Sequence, residues 1–168
     1  MSSKLIDTGL ERMLFHVDDD PAILRLVNHG LTKRGYRVCS ISDPEDVLPM
    51  LRQSLARLVL IDLDMPKKDG LTLLREIKQF DGSIQVIVVT GFASLSTIVQ
   101  ATCLGAEECV FKPIVNFDEL GDAVDRTYEK MLRWWRLLRN WTERQEKAGA
   151  LAMPLSASSR VMDATSVR

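Results

Sequence analysis

Residues 57–80, RLVLIDLDMPKKDGLTLLREIKQF, contain the alternation that decides the fold. The segment RLVLID (57–62) is a short apolar run typical of a buried strand, and LTLLREIKQF (71–80) has the apolar spacing of an amphipathic helix. The loop between them begins with two nearby carboxylates, Asp62 and Asp64. A strand, an acidic loop and a helix in this order form one repeating unit of an α/β fold.

The same alternation continues on both sides of this segment. The other predicted strands are RMLFHV (12–17), YRVCSI (36–41), SIQVIVVT (83–90) and ECVFK (108–112). The other predicted helices cover residues 22–34, 42–54, 94–105 and about 117–147. Strands that alternate with helices across short loops pair in parallel, because each helix returns the chain to the same edge. The sequence therefore predicts an α/β domain whose five-stranded parallel sheet has helices on both faces.

Local signals predict the ends and faces of several helices. Asp20 before Pro21 is a typical N-cap, as is Ser94 at the start of the fourth helix. Pro49 removes a donor from the second helix, so we expect a kink or a late start there. The first helix is expected to bury one face that consists of Ile23, Leu26, Val27 and Leu31.

The composition argues against several classes of protein. The 168 residues include 22 Lys or Arg and 23 Asp or Glu, and the net charge of −1 argues against a uniformly basic nucleic-acid-binding protein. Three cysteines, an odd number, cannot complete a disulfide framework, so a cytoplasmic location is expected. The segment MSSKLIDTGLER (1–12) lacks the apolar core of a signal peptide, and no stretch approaches the ~20 apolar residues of a membrane span.

Polar side chains follow four of the predicted strands. They are Asp18 and Asp19 after the first, Asp62 and Asp64 after the third, Thr90 at the end of the fourth and Lys112 at the end of the fifth. The carboxyl ends of parallel strands meet at one edge, where α/β proteins bind ligands. Clustered carboxylates favour a hard cation such as Mg²⁺, and a lysine with a hydroxyl suits a phosphoryl group. Any single aspartate here could instead be only a helix cap or turn former.

Four blocks of sequence at these strand ends resemble the signature blocks of bacterial response-regulator receiver domains. They are FHVDDDP (15–21), IDLDMPKKDG (61–70), VVTG (88–91) and GAEECVFKP (105–113). The resemblance covers roughly residues 11–130 and is to a stand-alone, chemotaxis-regulator-like receiver. It implies a flavodoxin-like sheet of order 2-1-3-4-5 with five helices. It also implies that a histidine kinase or phosphotransfer protein donates a phosphoryl group to one aspartate.

The resemblance assigns a role to each matching position. Asp62 corresponds to the phosphoacceptor, and Asp18 and Asp19 to the acidic pair that binds Mg²⁺ together with Asp62 and the backbone carbonyl of Asp64. The other matches are Thr90 and Lys112, which contact the phosphoryl group, Gly70, which closes the loop, Gly91, a small-residue position beside the site, and Pro113, expected to follow a cis peptide bond.

Two features depart from the receiver pattern. Cys109 occupies the switch position three residues before Lys112, where receivers usually carry an aromatic ring, so the coupling to Thr90 is expected to differ. A small core residue is the favoured interpretation of Cys109, ahead of a redox role. Asp64 is an additional carboxylate, and it and Phe92 are expected to flank the path of a hydrolytic water.

The last predicted helix continues beyond the length that a receiver needs. An apolar seam with spacings of three and four runs along it, through Phe117, Leu120, Val124, Thr127, Met131, Trp134, Leu138 and Trp141. We expect residues 131–147 to extend the helix and residues 148–168 to form a flexible tail, with residues 1–10 as an N-terminal extension. Trp134, Leu138 and Trp141 predict a homodimer or a docked protein target. Folding back on the domain and contact of this basic helix with a membrane or nucleic acid remain open.

The predicted function is that of a phosphoacceptor signalling protein rather than an enzyme. The residues after 130 lack a helix-turn-helix pattern, so we expect output through protein contacts and not through a DNA-binding domain. Asp62 and Asp64 also fit the DxD motif of haloacid-dehalogenase-like phosphatases, but Met65 departs from that motif and the acidic pair comes earlier in the chain. A degenerate receiver used as a scaffold is the third reading, which the complete set of polar residues disfavours.

Overall fold

The computed structural model describes residues 12–91 and 94–151, with side chains up to residue 146. The strands are β1 (Met13–Val17), β2 (Arg37–Ile41), β3 (Leu58–Ile61), β4 (Gln85–Thr90) and β5 (Glu108–Phe111). The helices are α1 (Pro21–Lys33), α2 (Val47–Arg52), α3 (Gly70–Phe80), α4 (Leu95–Cys103) and α5 (Phe117–Leu151), with a short 3₁₀ turn (Pro44–Asp46) before α2. Phe92, the N-terminal extension and most of the expected tail lie outside the described residues.

The five described strands form one parallel sheet in the order β2-β1-β3-β4-β5. This order confirms the flavodoxin-like topology. It places β1 and β3 side by side at the centre, with β4 and β5 following on one side. The carboxyl ends of β1, β3, β4 and β5 therefore lie along one edge of the sheet, where the site described below is found.

Two apolar cores cover the two faces of the sheet. Alternate side chains of β3 point to opposite faces, so Val59 and Ile61 join one core and Leu58 and Leu60 join the other. The first core is closed by α2, α3 and part of α4, and the second by α1 and the first part of α5. A strand that is buried on both sides explains why the sequence of β3 is almost continuously apolar.

One helix differs in detail from the sequence prediction, and a second agrees with it. In α1 the buried residues are Leu24, Val27 and Leu31, whereas Leu26 is 43% exposed, so its assignment to the buried face was wrong. The spacing 24-27-31 is the stripe that meets the sheet. The late start expected near Pro49 is confirmed, because α2 begins at Val47 and the proline falls in the first turn, where its missing N–H has no helical partner to lose.

Side-chain hydrogen bonds from Arg34 and Tyr36 hold the first part of α5 against the domain. The Arg34 guanidinium donates to Asp118 at 2.7 Å and to Asp122 and Asp125 at 2.9 Å. These aspartates are four and three residues apart, so they share one stripe of the helix. The Tyr36 hydroxyl also donates to Asp125, at 2.6 Å. These hydrogen bonds join residues far apart in sequence and fix the rotation of this part of α5 about its own axis.

The chain divides into two units, one that ends at Arg133 and contains the sheet, and one that begins at Trp134. In the first unit, the seam residues Leu120, Val124, Thr127 and Met131 are buried. In the second unit, Trp134, Leu138 and Trp141 are 61%, 54% and 60% exposed. The helix continues to Leu151 rather than ending near residue 147. No described helix combines the length and apolar character needed to cross a lipid bilayer.

Candidate functional site

Three carboxylates meet at the carboxyl edge of the two central strands. Asp18 and Asp19 follow β1, and Asp62 follows β3. The backbone N–H of Asp62 donates to the carbonyl of Val17 at 3.0 Å. Ligand oxygens of the three carboxylates lie within 4.8 Å of one another. Asp18 and Asp62 are buried and Asp19 is exposed, so the cluster opens to solvent on one side.

Lys112 joins two of these carboxylates. Its ammonium donates to Asp18 Oδ2 at 2.7 Å and to Asp62 Oδ2 at 2.6 Å. The other oxygen of each carboxylate accepts a hydrogen bond from a backbone N–H. The Asp20 N–H donates to Asp18 Oδ1 at 2.9 Å, and the Asp64 N–H donates to Asp62 Oδ1 at 3.2 Å. Both buried carboxylates are thus hydrogen-bonded on each oxygen and held in a single orientation.

The electrostatics of this cluster are unbalanced. Burial raises the pKa of Asp18, although the hydrogen bond from Lys112 opposes this shift. Burial by itself would lower the pKa of Lys112, but the hydrogen bonds to Asp18 and Asp62 outweigh it and raise the pKa, so the lysine is a cation at neutral pH. One ammonium faces three carboxylates, which leaves an excess of negative charge. An oxygen-only cluster with excess negative charge fits a hard divalent cation such as Mg²⁺.

Thr90 and Gly91 form the neighbouring part of the edge. Thr90 ends β4 and is only 1% exposed, and its carbonyl accepts from the backbone N–H of Lys112 at 2.9 Å. Gly91 is exposed beside Lys112, where an added Cβ would lie 3.6 Å from the lysine Cβ. An alanine would therefore fit there by ordinary contact, whereas a longer side chain would extend over the lysine. The peptide bond between Lys112 and Pro113 is cis.

The loop after β3 is closed by a glycine that has no room for a side chain. A Cβ on Gly70 would lie 2.2 Å from the backbone oxygen of Asp62 and 2.5 Å from Leu63 Cα. The Gly70 N–H donates to the carbonyl of Leu63 at 3.1 Å. Asp69 caps α3 by accepting from the backbone N–H groups of Leu71 and Thr72. The predicted role of Gly70 in closing the loop has a steric basis, because it lies directly against Asp62.

Cys109 packs as a partly buried core residue. It lies at the edge of the core that contains Val88, its partner across β4 and β5. Burial raises the pKa of its thiol, which disfavours the reactive thiolate. The aromatic ring that β5 does carry is Phe111, which is 47% exposed and pairs in register with Thr90.

One residue beside the site was not singled out by the sequence prediction. His16 lies in β1, is completely buried, and has no hydrogen-bond partner for either ring nitrogen among the described residues. Its Nε2 lies 3.9 Å from Asp18 Oδ2. Burial, and secondarily the charge of Lys112, lower the pKa of His16 to about 3, so the ring is neutral. The available signal was a histidine within an otherwise apolar strand, two residues before an aspartate.

Comparison with known proteins found relatives in sequence and structures with the same fold. A protein-family model described as the response regulator receiver domain matches residues 14–125. Over 110 residues the chain is 33% identical to sporulation initiation phosphotransferase F of Bacillus subtilis, an alignment that covers 66% of this chain and 88% of that protein. The solved structure of the response regulator protein TrrA from Thermotoga maritima, in complex with Mg²⁺–BeF, has a TM-score of 0.63 and 27% identity, and covers 70% of this chain and 99% of that chain.

A further relative also aligns with the distal part of α5. The C4-dicarboxylate transport transcriptional regulatory protein DctD of Rhizobium meliloti is 31% identical over 152 residues, which cover 89% of this chain and 32% of that protein. The chain spans about a quarter of the length of the first curated relatives that it matches, which are transcriptional regulatory proteins.

Proposed function

Since this chain belongs to the response-regulator receiver family, we propose that it takes a phosphoryl group from a histidine kinase or phosphotransfer protein onto Asp62. The domain is a receiver of two-component signalling. The observation that carries the assignment to Asp62 is its position at the central strand end, held by Lys112 within a cluster of carboxylates. The relatives give no support to the phosphatase or scaffold alternatives.

We assign Mg²⁺ to the carboxylates of Asp18, Asp19 and Asp62, with the backbone carbonyl of Asp64 as a further ligand. The close spacing of the three carboxylates and their excess negative charge support this assignment. The solved structure of TrrA, a protein similar to this chain, is a complex with Mg²⁺ and BeF, which also supports the assignment of Mg²⁺. When bound, the ion supplies positive charge that stabilises the phosphoryl oxygens.

Asp62 acts as the nucleophile in this proposal. One of its carboxylate oxygens forms a bond to phosphorus as the bond from phosphorus to the histidine nitrogen of the donor breaks, and the imidazole keeps that electron pair. Lys112 already donates to Asp62 and needs only a small movement to donate to a phosphoryl oxygen instead. The hydroxyl of Thr90, at the neighbouring strand end, donates to another oxygen. The chain acts as a phosphoacceptor and not as a turnover enzyme.

We further propose that the second unit transmits the signal by pairing with a second copy of the chain. Trp134, Leu138 and Trp141 repeat at heptad spacing on an exposed stripe of α5. Large apolar side chains in water favour a partner surface, and a two-fold interface needs only one self-complementary patch. A protein target of different sequence, an anionic membrane and a nucleic acid are the other outcomes that a measurement of mass and binding would separate.

The phosphoacceptor role is tested by mass spectrometry of the intact, full-length chain. Incubation with acetyl phosphate and Mg²⁺ should add one phosphoryl group to the wild type. The adduct should be absent in Asp62→Asn and after chelation of the metal, and present in the control Asp46→Asn, whose exposed carboxylate is not part of the cluster. An adduct that survives Asp62→Asn would contradict the assignment. Steady hydrolysis of p-nitrophenyl phosphate would instead support the phosphatase.

A further inference from the structure

We propose that His16 is a positioning residue for Asp18, whose Nε2–H becomes the donor to Asp18 Oδ2 when Lys112 moves to the phosphoryl group on Asp62. The inference rests on the proposed function and adds a residue to its site. It invokes no change in the protonation of His16.

The position of the imidazole is the first step. His16 and Asp18 are two residues apart at the end of β1, so their side chains leave the same face of the sheet. The distance of 3.9 Å between His16 Nε2 and Asp18 Oδ2 exceeds a hydrogen bond by less than about 1 Å. A small rotation of either side chain would close the gap.

The second step concerns the state of Asp18 after phosphoryl transfer. Asp18 Oδ2 accepts from Lys112 at 2.7 Å, and the side chain is completely buried. The phosphoryl oxygens on Asp62 would lie on the solvent side of that carboxylate, so a lysine that follows them moves away from Asp18. A buried carboxylate oxygen that loses its donor is strongly disfavoured unless another donor or the bound Mg²⁺ replaces it, and the proposal gives this place on Oδ2 to the His16 N–H.

The third step is that His16 is available for this task. Both ring nitrogens lack a partner among the described residues, although buried polar groups are nearly always hydrogen-bonded. A neutral imidazole carries one N–H, which the proposal places on Nε2. Donation from a neutral group adds no further positive charge beside Lys112. An apolar side chain at position 16 would suit a buried strand but could not donate a hydrogen bond to Asp18.

The tautomer and its hydrogen bond can be observed directly in the full-length chain. The sequence contains two histidines, so a ¹H–¹⁵N spectrum of the imidazole rings has two spin systems, and His29→Gln assigns them. Spectra are recorded with chelator, with Mg²⁺, and with Mg²⁺ and beryllofluoride. We expect the Nε2–H tautomer of His16 and a downfield shift of this proton on addition of beryllofluoride. An Nδ1–H tautomer, or an unchanged proton, would overturn the proposal.

Binding measurements separate this role from general support of the fold. His16→Leu should leave the affinity for Mg²⁺ alone nearly unchanged but weaken beryllofluoride binding at saturating Mg²⁺ about tenfold, as measured by ¹⁹F NMR. His16→Gln should restore the affinity, because its amide nitrogen reaches the position of Nε2, and His29→Gln should match the wild type. Equal affinities in His16→Leu and wild type would contradict only the role of His16. A wild type that binds neither probe would contradict the proposed function itself.

Discussion

The Lys112 ammonium lies 2.6 Å from Asp62 Oδ2, so the cation that would contact the phosphoryl group already rests on the carboxylate that would accept it. The same ammonium neutralises part of the charge of Asp18. Lys112 therefore has two functions in the proposed cycle. It stabilises the two carboxylates before phosphoryl transfer. After transfer it moves from the carboxylates to a phosphoryl oxygen, so its position changes with the phosphorylation of Asp62.

Lys112→Ala should preserve a cooperative melt but lower stability by about 3 kcal/mol in chelator, because two buried carboxylates lose their shared cation. Mg²⁺ should raise the melting temperature of this variant more than that of the wild type, since the ion now relieves the larger repulsion. Differential scanning calorimetry with and without Mg²⁺ measures both effects.

Lys68→Ala is the control for this substitution, because Lys68 pairs with Glu45 and Glu76, which do not belong to the carboxylate cluster. It should show the wild-type dependence on Mg²⁺. The Lys112 variant should also lose the stabilisation that beryllofluoride confers on the wild type. A wild-type response to beryllofluoride in Lys112→Ala would argue against the proposed role.

Gly70→Ala should destabilise the chain by about 2–3 kcal/mol and slow phosphorylation of Asp62. The added Cβ would lie 2.2 Å from the Asp62 backbone oxygen, and backbone atoms cannot move aside without displacing the loop. Gly82→Ala is the matched control, since its Cβ would meet only the Lys78 carbonyl oxygen at 3.8 Å. Chemical denaturation and the mass assay should leave this control near wild type, and equal stability of the two variants would contradict the steric argument.

Tyr36→Phe should lower the free energy of unfolding by about 1 kcal/mol near neutral pH, because it removes the hydrogen bond to Asp125. The loss is modest because Asp125 is partly exposed and keeps its hydrogen bond from Arg34. Burial, with the hydrogen bond to Asp125, raises the pKa of Tyr36 above its ordinary value. The folded state therefore holds the phenol proton where the unfolded state releases it, so this contribution is present below about pH 10 and lost above it.

Denaturation curves of wild type and Tyr36→Phe, measured from pH 7 to 11, test this prediction. The difference in stability between the two proteins should shrink as the pH rises above about 10. Tyr128 is present in both proteins, so the part of its titration that does not depend on the Tyr36 hydroxyl cancels in the difference. A difference that stays constant or grows with pH would contradict the role of the Tyr36 hydroxyl.

Replacement of Trp134, Leu138 and Trp141 by alanine should raise the dissociation constant of the proposed dimer by about a hundredfold or more, because each side chain contributes over 1 kcal/mol of burial. Light scattering of the full-length chain at tens of micromolar, with and without beryllofluoride, measures the effect. Asn140→Ala with Glu143→Ala alters the opposite side of the helix and should leave the mass unchanged. A monomeric wild type in both conditions would reject self-pairing.

Local pattern accounts for much of what could be predicted. The bounds of β3 and α3 follow from apolar spacing that tertiary contacts reinforce, and Ser94 caps α4 as expected by accepting from Thr97. The exposure of Leu26 was not predictable in this way. Leu24 and Leu26 are two residues apart, so their side chains point to nearly opposite sides of the helix. Both sides carry apolar residues, and only contact with the sheet selects which leucine is buried.

The sequence by itself determined the alternation of strands and helices and, through it, the meeting of Asp18, Asp62 and Lys112 at one edge, because parallel strands bring their carboxyl ends together whatever packs around them. Tertiary structure alone decided the contacts between distant residues. Arg34 meets Asp118 only after α1 and α5 have packed, and only the folded structure shows that the His16 ring has no hydrogen-bond partner among the described residues. Such contacts depend on three-dimensional packing and leave no periodic signal in the chain.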